Sequence, residues 1–173
     1  KTRRSEVLKR IYVYTDKITD PQNFGAIIRS SLFFGVQHIF SSKKNHCPLN
    51  PTVSKASTGA DINANIISRQ ERRIYAKLEG SRRIHLIHLS RDVNKKVYPV
   101  QDLQKLKQED RLDKILVVLG SEGFGVSDHL RKYSDYNILI ERKGQNSYPY
   151  TLIDSLNVNA ALTAILFELT KDI

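Results

Sequence analysis

The sequence predicts an α/β fold in which a mostly parallel sheet is covered by helices on both faces. Two observations carry the prediction. Strand-like and helix-like patterns alternate through most of the chain, and several strands are unbroken apolar runs, Ile115-Leu116-Val117-Val118-Leu119 above all. Successive side chains of a strand point to opposite faces, so a run of this kind suits a strand buried on both. Helices in the connections are what bury them.

The elements follow in order. Ile11 to Tyr14 is a short β-branched and aromatic strand, followed by a loop from Asp16 to Pro21. Asn23 is a good N-cap for a helix to about Phe34, with Gly35 as its stop. Val36 to Phe40 reads as a strand. Asn50-Pro51 is an N-cap followed by proline at the first helical position, and Gly59 closes that helix. Ile62 to Ile67 is a short strand, Arg69 to Leu78 a helix stopped by Gly80, and Ile84 to Leu89 a strand. After Ile115–Leu119, Ser127 caps a short helix and Ile138 to Ile140 is a strand. Asp154 or Ser155 is expected to cap the last helix, which runs to about Thr170.

A single domain, 1–173, is the expectation at 173 residues, with 40% apolar residues to build its core. No apolar run reaches the ~18 residues of a transmembrane helix. One cysteine, Cys47, excludes an internal disulfide framework and a cysteine-based zinc cluster. Twenty-eight Lys and Arg against 18 Asp and Glu leave a net charge of +10, which points to polyanionic partners, nucleic acid first and an anionic membrane second. The basic residues cluster, in Lys1 to Arg4 and in Arg69, Arg72, Arg73, Lys77, Arg82 and Arg83. No basic amphipathic helix with a large apolar face accompanies them, so the membrane reading is the weaker one. Methionine is absent and the chain opens on Lys1, as expected of a chain processed or cut from something longer. His38, His46, His85, His88 and His129 show no metal-ligand spacing, so no metal is expected.

Three segments depart from ordinary α/β sequence. In Asp20-Pro-Gln-Asn-Phe-Gly-Ala-Ile-Ile-Arg29 a glycine occupies the first turn of a helix, where it costs stability unless something comes close. Arg29 either snorkels from the helix edge or aims at a phosphate or oxyanion; taken alone, snorkelling is the simpler reading. Leu119-Gly-Ser-Glu-Gly-Phe-Gly125 follows the most apolar strand. Its spacing is G-x-x-G-x-G, neither the dinucleotide fingerprint nor a phosphate-binding P-loop. At the carboxyl end of a strand it reads as a ligand loop. In Asp154 to Leu166, Asn157 and Asn159 sit at the start of an apolar helix, serving either loop backbone or a ligand.

Taken together, Asn23 to Arg29, Gly120 to Gly125 and Ser155 to Ala160 resemble, in order and approximate spacing, the three motifs of the SpoU (TrmH-like) branch of the SPOUT methyltransferases. Leu49 to Ala60 is similar to the subgroup that methylates a guanosine of large-subunit ribosomal RNA, the mitochondrial members most of all. Four features differ from the usual pattern: Ser121, Asn159, Glu141-Arg142, and a long link from Gly144 to Ile153.

The resemblance implies a deep C-terminal trefoil knot, a homodimer, and a mitochondrial location (the alternative being cytoplasmic), with an N-terminal RNA-binding domain expected outside this chain. It implies ribose 2′-O-methylation with S-adenosylmethionine. Arg29, Glu122, Asn23, Ser155 and Asn157 would form the catalytic group, and Leu119, Gly120, Gly123, Gly125, Ile140 and Leu156 would hold the cofactor. A transfer RNA substrate and a non-catalytic RNA-binding assembly factor of the same fold are the competing readings. A Rossmann-like enzyme is disfavoured by the glycine spacing.

Overall fold

The computed structural model describes residues 10–69, 84–89, 96–109, 112, 114–121, 123–141 and 156–171. Seven strands form one sheet: β1 (Ile11–Asp16), β2 (His38–Ser42), β3 (Asn65–Arg69), β4 (Ile84–Leu89), β5 (Val97–Pro99), β6 (Lys114–Gly120) and β7 (Tyr136–Leu139). Their order is β3-β2-β1-β6-β4-β7-β5, and every pairing is parallel. The helices are α1 (Pro21–Phe33), α2 (Pro51–Ser57), α3 (Leu103–Glu109), α4 (Asp128–Lys132) and α5 (Val158–Thr170).

Both faces are buried, as the apolar runs require. Ile115, Val117 and Leu119 of β6 join one core cluster with Phe24, Ile27 and Ile28 of α1 and Leu162, Ile165 and Leu166 of α5. The alternate residues Leu116 and Val118 join a second cluster with Tyr14, Phe40, Val126 and, from α4, Leu130. Among the described residues no helix is long and apolar enough to cross a membrane.

Several boundaries move. Asp20, not Asn23, caps α1: its carboxylate accepts the Asn23 N–H at 2.7 Å, and Pro21 takes the first helical position. The Asn23 side chain is thereby released for another partner. Asn157, not Asp154 or Ser155, caps α5, its Oδ1 accepting the Asn159 N–H at 2.9 Å. Strands β2 and β3 start two or three residues later than the apolar pattern suggests, and β7 starts earlier. Arg69 ends β3 instead of opening a helix; the rest of that expected helix lies outside the described residues. Strand β5, of 3 residues, and helix α3, of 7, were not expected from the sequence. The expected knot depends on the path of 142–155, outside the described residues.

The topology contains a switch point. From β1 the chain moves outward through β2 to β3, whereas β6 leads on to β7 on the opposite side. The crevice outside the carboxyl ends of β1 and β6 is where open α/β sheets bind ligands. Asp16 and Gly120, the last residues of these two strands, are register partners there.

Candidate active site

Helix α1 leaves that crevice across a tight junction with α2. A Cβ on Gly25 would lie 2.5 Å from Ala56 Cβ and 2.7 Å from the Val53 carbonyl oxygen. With α1 starting at Pro21, Gly25 falls in the second turn, where glycine is a packing requirement between two helices.

The Asn23 amide oxygen accepts a hydrogen bond from Asn157 Nδ2 at 2.8 Å, 134 residues away in sequence. About two turns further on, Ser30 and Thr163 meet hydroxyl to hydroxyl at 3.3 Å, with a separation of 133. The near-constant offset means that α1 and α5 run side by side in the same direction. Asn157 thus spends its amide twice, the oxygen on capping α5 and the nitrogen on Asn23.

Arg29 is exposed on the outer side of α1 and lines a groove of about 340 Å³ with Ala26, Ser30, Phe33, Asn159 and Thr163. Among the described residues it has no hydrogen bond or ion pair, so its guanidinium is free to take an anion. Asn159 Oδ1 is buried and has no hydrogen-bond partner among the described residues. The sequence flagged Asn159 as an odd helix former but did not assign it to the site.

The glycine loop is folded tightly upon itself. Gly125 N donates to the Ser121 carbonyl at 2.8 Å, and a Cβ on Gly120 would lie 2.0 Å from the Gly125 carbonyl carbon. No other residue fits at position 120. Gly123 and Gly125 are exposed, with Phe124 at the loop tip 88% exposed, while Leu119 is buried in β6. Ile140 follows β7 on the same carboxyl edge, roughly 10 Å from Gly120, or two strand spacings of ~4.8 Å. Leu156 is half exposed immediately before Asn157. Asn23 and Asn157 are therefore brought together, whereas Arg29 lies six residues further along α1 in the groove with Asn159 and Thr163, and Gly120, Gly123, Gly125, Ile140 and Leu156 lie toward the carboxyl edge of the sheet. Glu122 and Ser155 lie outside the described residues.

Other chemistries find no support. His88 is buried with Nδ1 2.7 Å from Ser134 Oγ, and His38 pairs with Asn65, so both are structural. Burial pushes the Cys47 thiol above its usual value, and the Asp20 carboxylate adds to the effect, so Cys47 is a poor nucleophile. Among the described residues no three His, Cys, Asp or Glu are grouped to hold a metal ion.

A parallel α/β sheet with a self-closed glycine loop at its switch point is the architecture of a ligand-binding α/β domain, here with two motif asparagines joined across α1 and α5. The SpoU rRNA methylase family model matches residues 10–167, and the chain belongs to that family. It is 36% identical over 167 residues to "rRNA methyltransferase 1, mitochondrial" of Saccharomyces cerevisiae, covering 90% of this chain and 40% of that protein. It is 27% identical over 157 residues to "23S rRNA (guanosine-2'-O-)-methyltransferase RlmB" of Pseudomonas aeruginosa, covering 90% and 56%. The SpoU methyltransferase AviRb of Streptomyces viridochromogenes, solved in complex with the cofactor AdoMet, superposes with a TM-score of 0.75 at 24% identity, covering 99% of this chain and 61% of that one. The chain thus spans about half the length of the curated relatives it matches.

Proposed function

We propose that this domain transfers the methyl group of S-adenosylmethionine to the ribose 2′-oxygen of a guanosine in mitochondrial large-subunit ribosomal RNA. The observation that carries the reading is the Asn23–Asn157 hydrogen bond, which joins the first and third motif segments. The names of the yeast and Pseudomonas relatives support the substrate and, for the yeast protein, the mitochondrial location.

The carboxyl edge suits the cofactor. Open space lies where a side chain at Gly123 would be, and half-exposed Leu156 offers an apolar surface for an adenine ring. Backbone at Leu119, Gly120, Gly125 and Ile140 would supply the polar contacts. When bound, S-adenosylmethionine supplies an electrophilic methyl group on a sulfonium, whose charge is lost on transfer.

The protein's own task is to position the ribose and handle one proton. Arg29 serves as a fixed cation and not as the base. Its planar fork holds the target phosphate and stabilises the developing 2′-alkoxide. Glu122 orients that fork or accepts the 2′-hydroxyl proton, and Ser155 and the Asn23–Asn157 pair fix the approach.

A second copy of the chain completes the proposed enzyme. Phe33 of α1 and Phe167 of α5 are 83% and 56% exposed on two helices that pack together. Large exposed apolar residues suit a protein interface.

The test is methyl transfer from labelled S-adenosylmethionine to protein-free large-subunit rRNA, to assembling subunits and to tRNA, with the product nucleoside identified. 2′-O-Methylguanosine in large-subunit rRNA is expected. Label confined to tRNA, or to the base instead of the ribose, would overturn the assignment.

A further inference from the structure

We infer that Asp16 is a positioning residue that holds the glycine loop in its ligand-ready shape; the inference rests on the reading that this loop binds S-adenosylmethionine. Asp16 ends β1 and is fully buried. Its main chain lies in register with Gly120, where the loop begins. Its side chain reaches the other end, Oδ2 accepting the Ser127 N–H at 2.8 Å across 111 residues of sequence. One residue therefore fixes both the entry and the exit of the loop.

The rest of the loop is held from the opposite side. Arg131 Nε donates to the Val126 carbonyl at 2.6 Å, and its Nη2 donates to the Phe124 carbonyl at 3.4 Å. An acid thus takes an N–H from the loop exit while a base donates to two of its carbonyls. Asp16 Oδ1 has no hydrogen-bond partner among the described residues. A buried carboxylate with one oxygen unused is a costly way to satisfy a single N–H. Retaining it fits a role in loop geometry better than one in core stability.

Such a brace lowers the ordering cost of binding, because the loop has little freedom left to lose. Asp16 acts through the loop, so its effect should fall on cofactor affinity and not on the transfer step.

The chain has no tryptophan, and Phe124 sits exposed at the loop tip, so Phe124→Trp installs a single reporter. Two further changes in that background break the same bond from its two ends. Asp16→Ala removes the acceptor. Ser127→Pro removes the donor at φ −60°, a value proline adopts, and serves if the first variant does not fold. In each, tryptophan anisotropy without ligand should fall. The Kd for S-adenosylmethionine by calorimetry should rise at least about tenfold, with kcat at saturating cofactor within about threefold of the parent. Asp16→Asn, which keeps an acceptor, should restore most of the affinity. Unchanged anisotropy and affinity in a folded variant, or a loss confined to kcat, would overturn the inference. A parent protein that binds no S-adenosylmethionine would instead overturn the functional reading, leaving the ligand-free anisotropy to decide the role of Asp16.

Discussion

Asn157 Nδ2 donates to Asn23 Oδ1 at 2.8 Å, joining the N-terminal ends of two helices that lie 134 residues apart in the chain. The same Asn157 caps its own helix. Position and helix stability are thereby coupled in one amide. Asn157→Ala should lose both functions and cost about 1 kcal/mol from the cap alone. Asn157→Asp keeps an acceptor for the cap, and Asn23 can rotate its amide to donate instead. Thermal denaturation should therefore rank the proteins wild type, then Asp, then Ala; equal melting of Asp and Ala variants would contradict the coupling.

Arg29 is exposed, so Arg29→Lys should leave the melting temperature unchanged. The charge survives but the planar fork does not, and methyl transfer should fall at least about tenfold. Near-normal turnover would refute the anion-holding role. Glu122→Gln separates base from orienting acceptor: a base loses far more rate than an acceptor does.

Gly25→Ala replaces glycine by the best helix former, a change worth about 1 kcal/mol in favour of an isolated helix. Here the new methyl would meet Ala56 Cβ at 2.5 Å and the Val53 carbonyl oxygen at 2.7 Å. Backbone does not yield as a flexible side chain would, so overpacking of roughly 1 to 3 kcal/mol should dominate. Urea unfolding should show net destabilisation, and a stabilised variant would mean that α1 and α2 pack less closely.

Asp61 accepts hydrogen bonds from Ser54 Oγ at 2.6 Å and Ser57 Oγ at 2.9 Å. These bonds, Ser54 foremost, hold its carboxyl below the usual carboxylate range. A carboxyl whose folded pKa lies below its unfolded value contributes stability above the unfolded value, and that contribution fades as pH falls through the folded one. The melting-temperature gap between wild type and Asp61→Asn should accordingly be widest near neutrality and close in acid. Asp61 is only partly buried, so solvent screening should keep the gap small throughout.

Phe33→Glu with Phe167→Glu should convert a dimer to a monomer by light scattering. Both side chains face solvent in the single chain, so each monomer should retain its fold by circular dichroism. A dimer that survives both charges uses another surface.

Much of the fold was legible because it depends on local patterns. The unbroken run at Ile115–Leu119 requires cover on both faces, and the alternation of β6 between two core clusters is that requirement met. The Asn50-Pro51 helix start is equally local, since Asn50 caps its own first turn. The first asparagine motif shows where local reading stops. Asn23 and Asp20 are both good caps, and Pro21 decides between them by taking the first helical position.

The class of fold was readable from local pattern, because helix periodicity, strand burial and turn chemistry act over a few neighbours, and the three motifs and their order were readable through their resemblance to the SpoU family. Only the tertiary structure decided that Asn23 meets Asn157, that Gly25 is glycine because Ala56 lies against it, and that Asp16 grips the exit of the glycine loop. Each of these depends on the approach of elements far apart in the chain. That approach is set by how the whole sheet and its helices pack, and no window of neighbouring residues contains it.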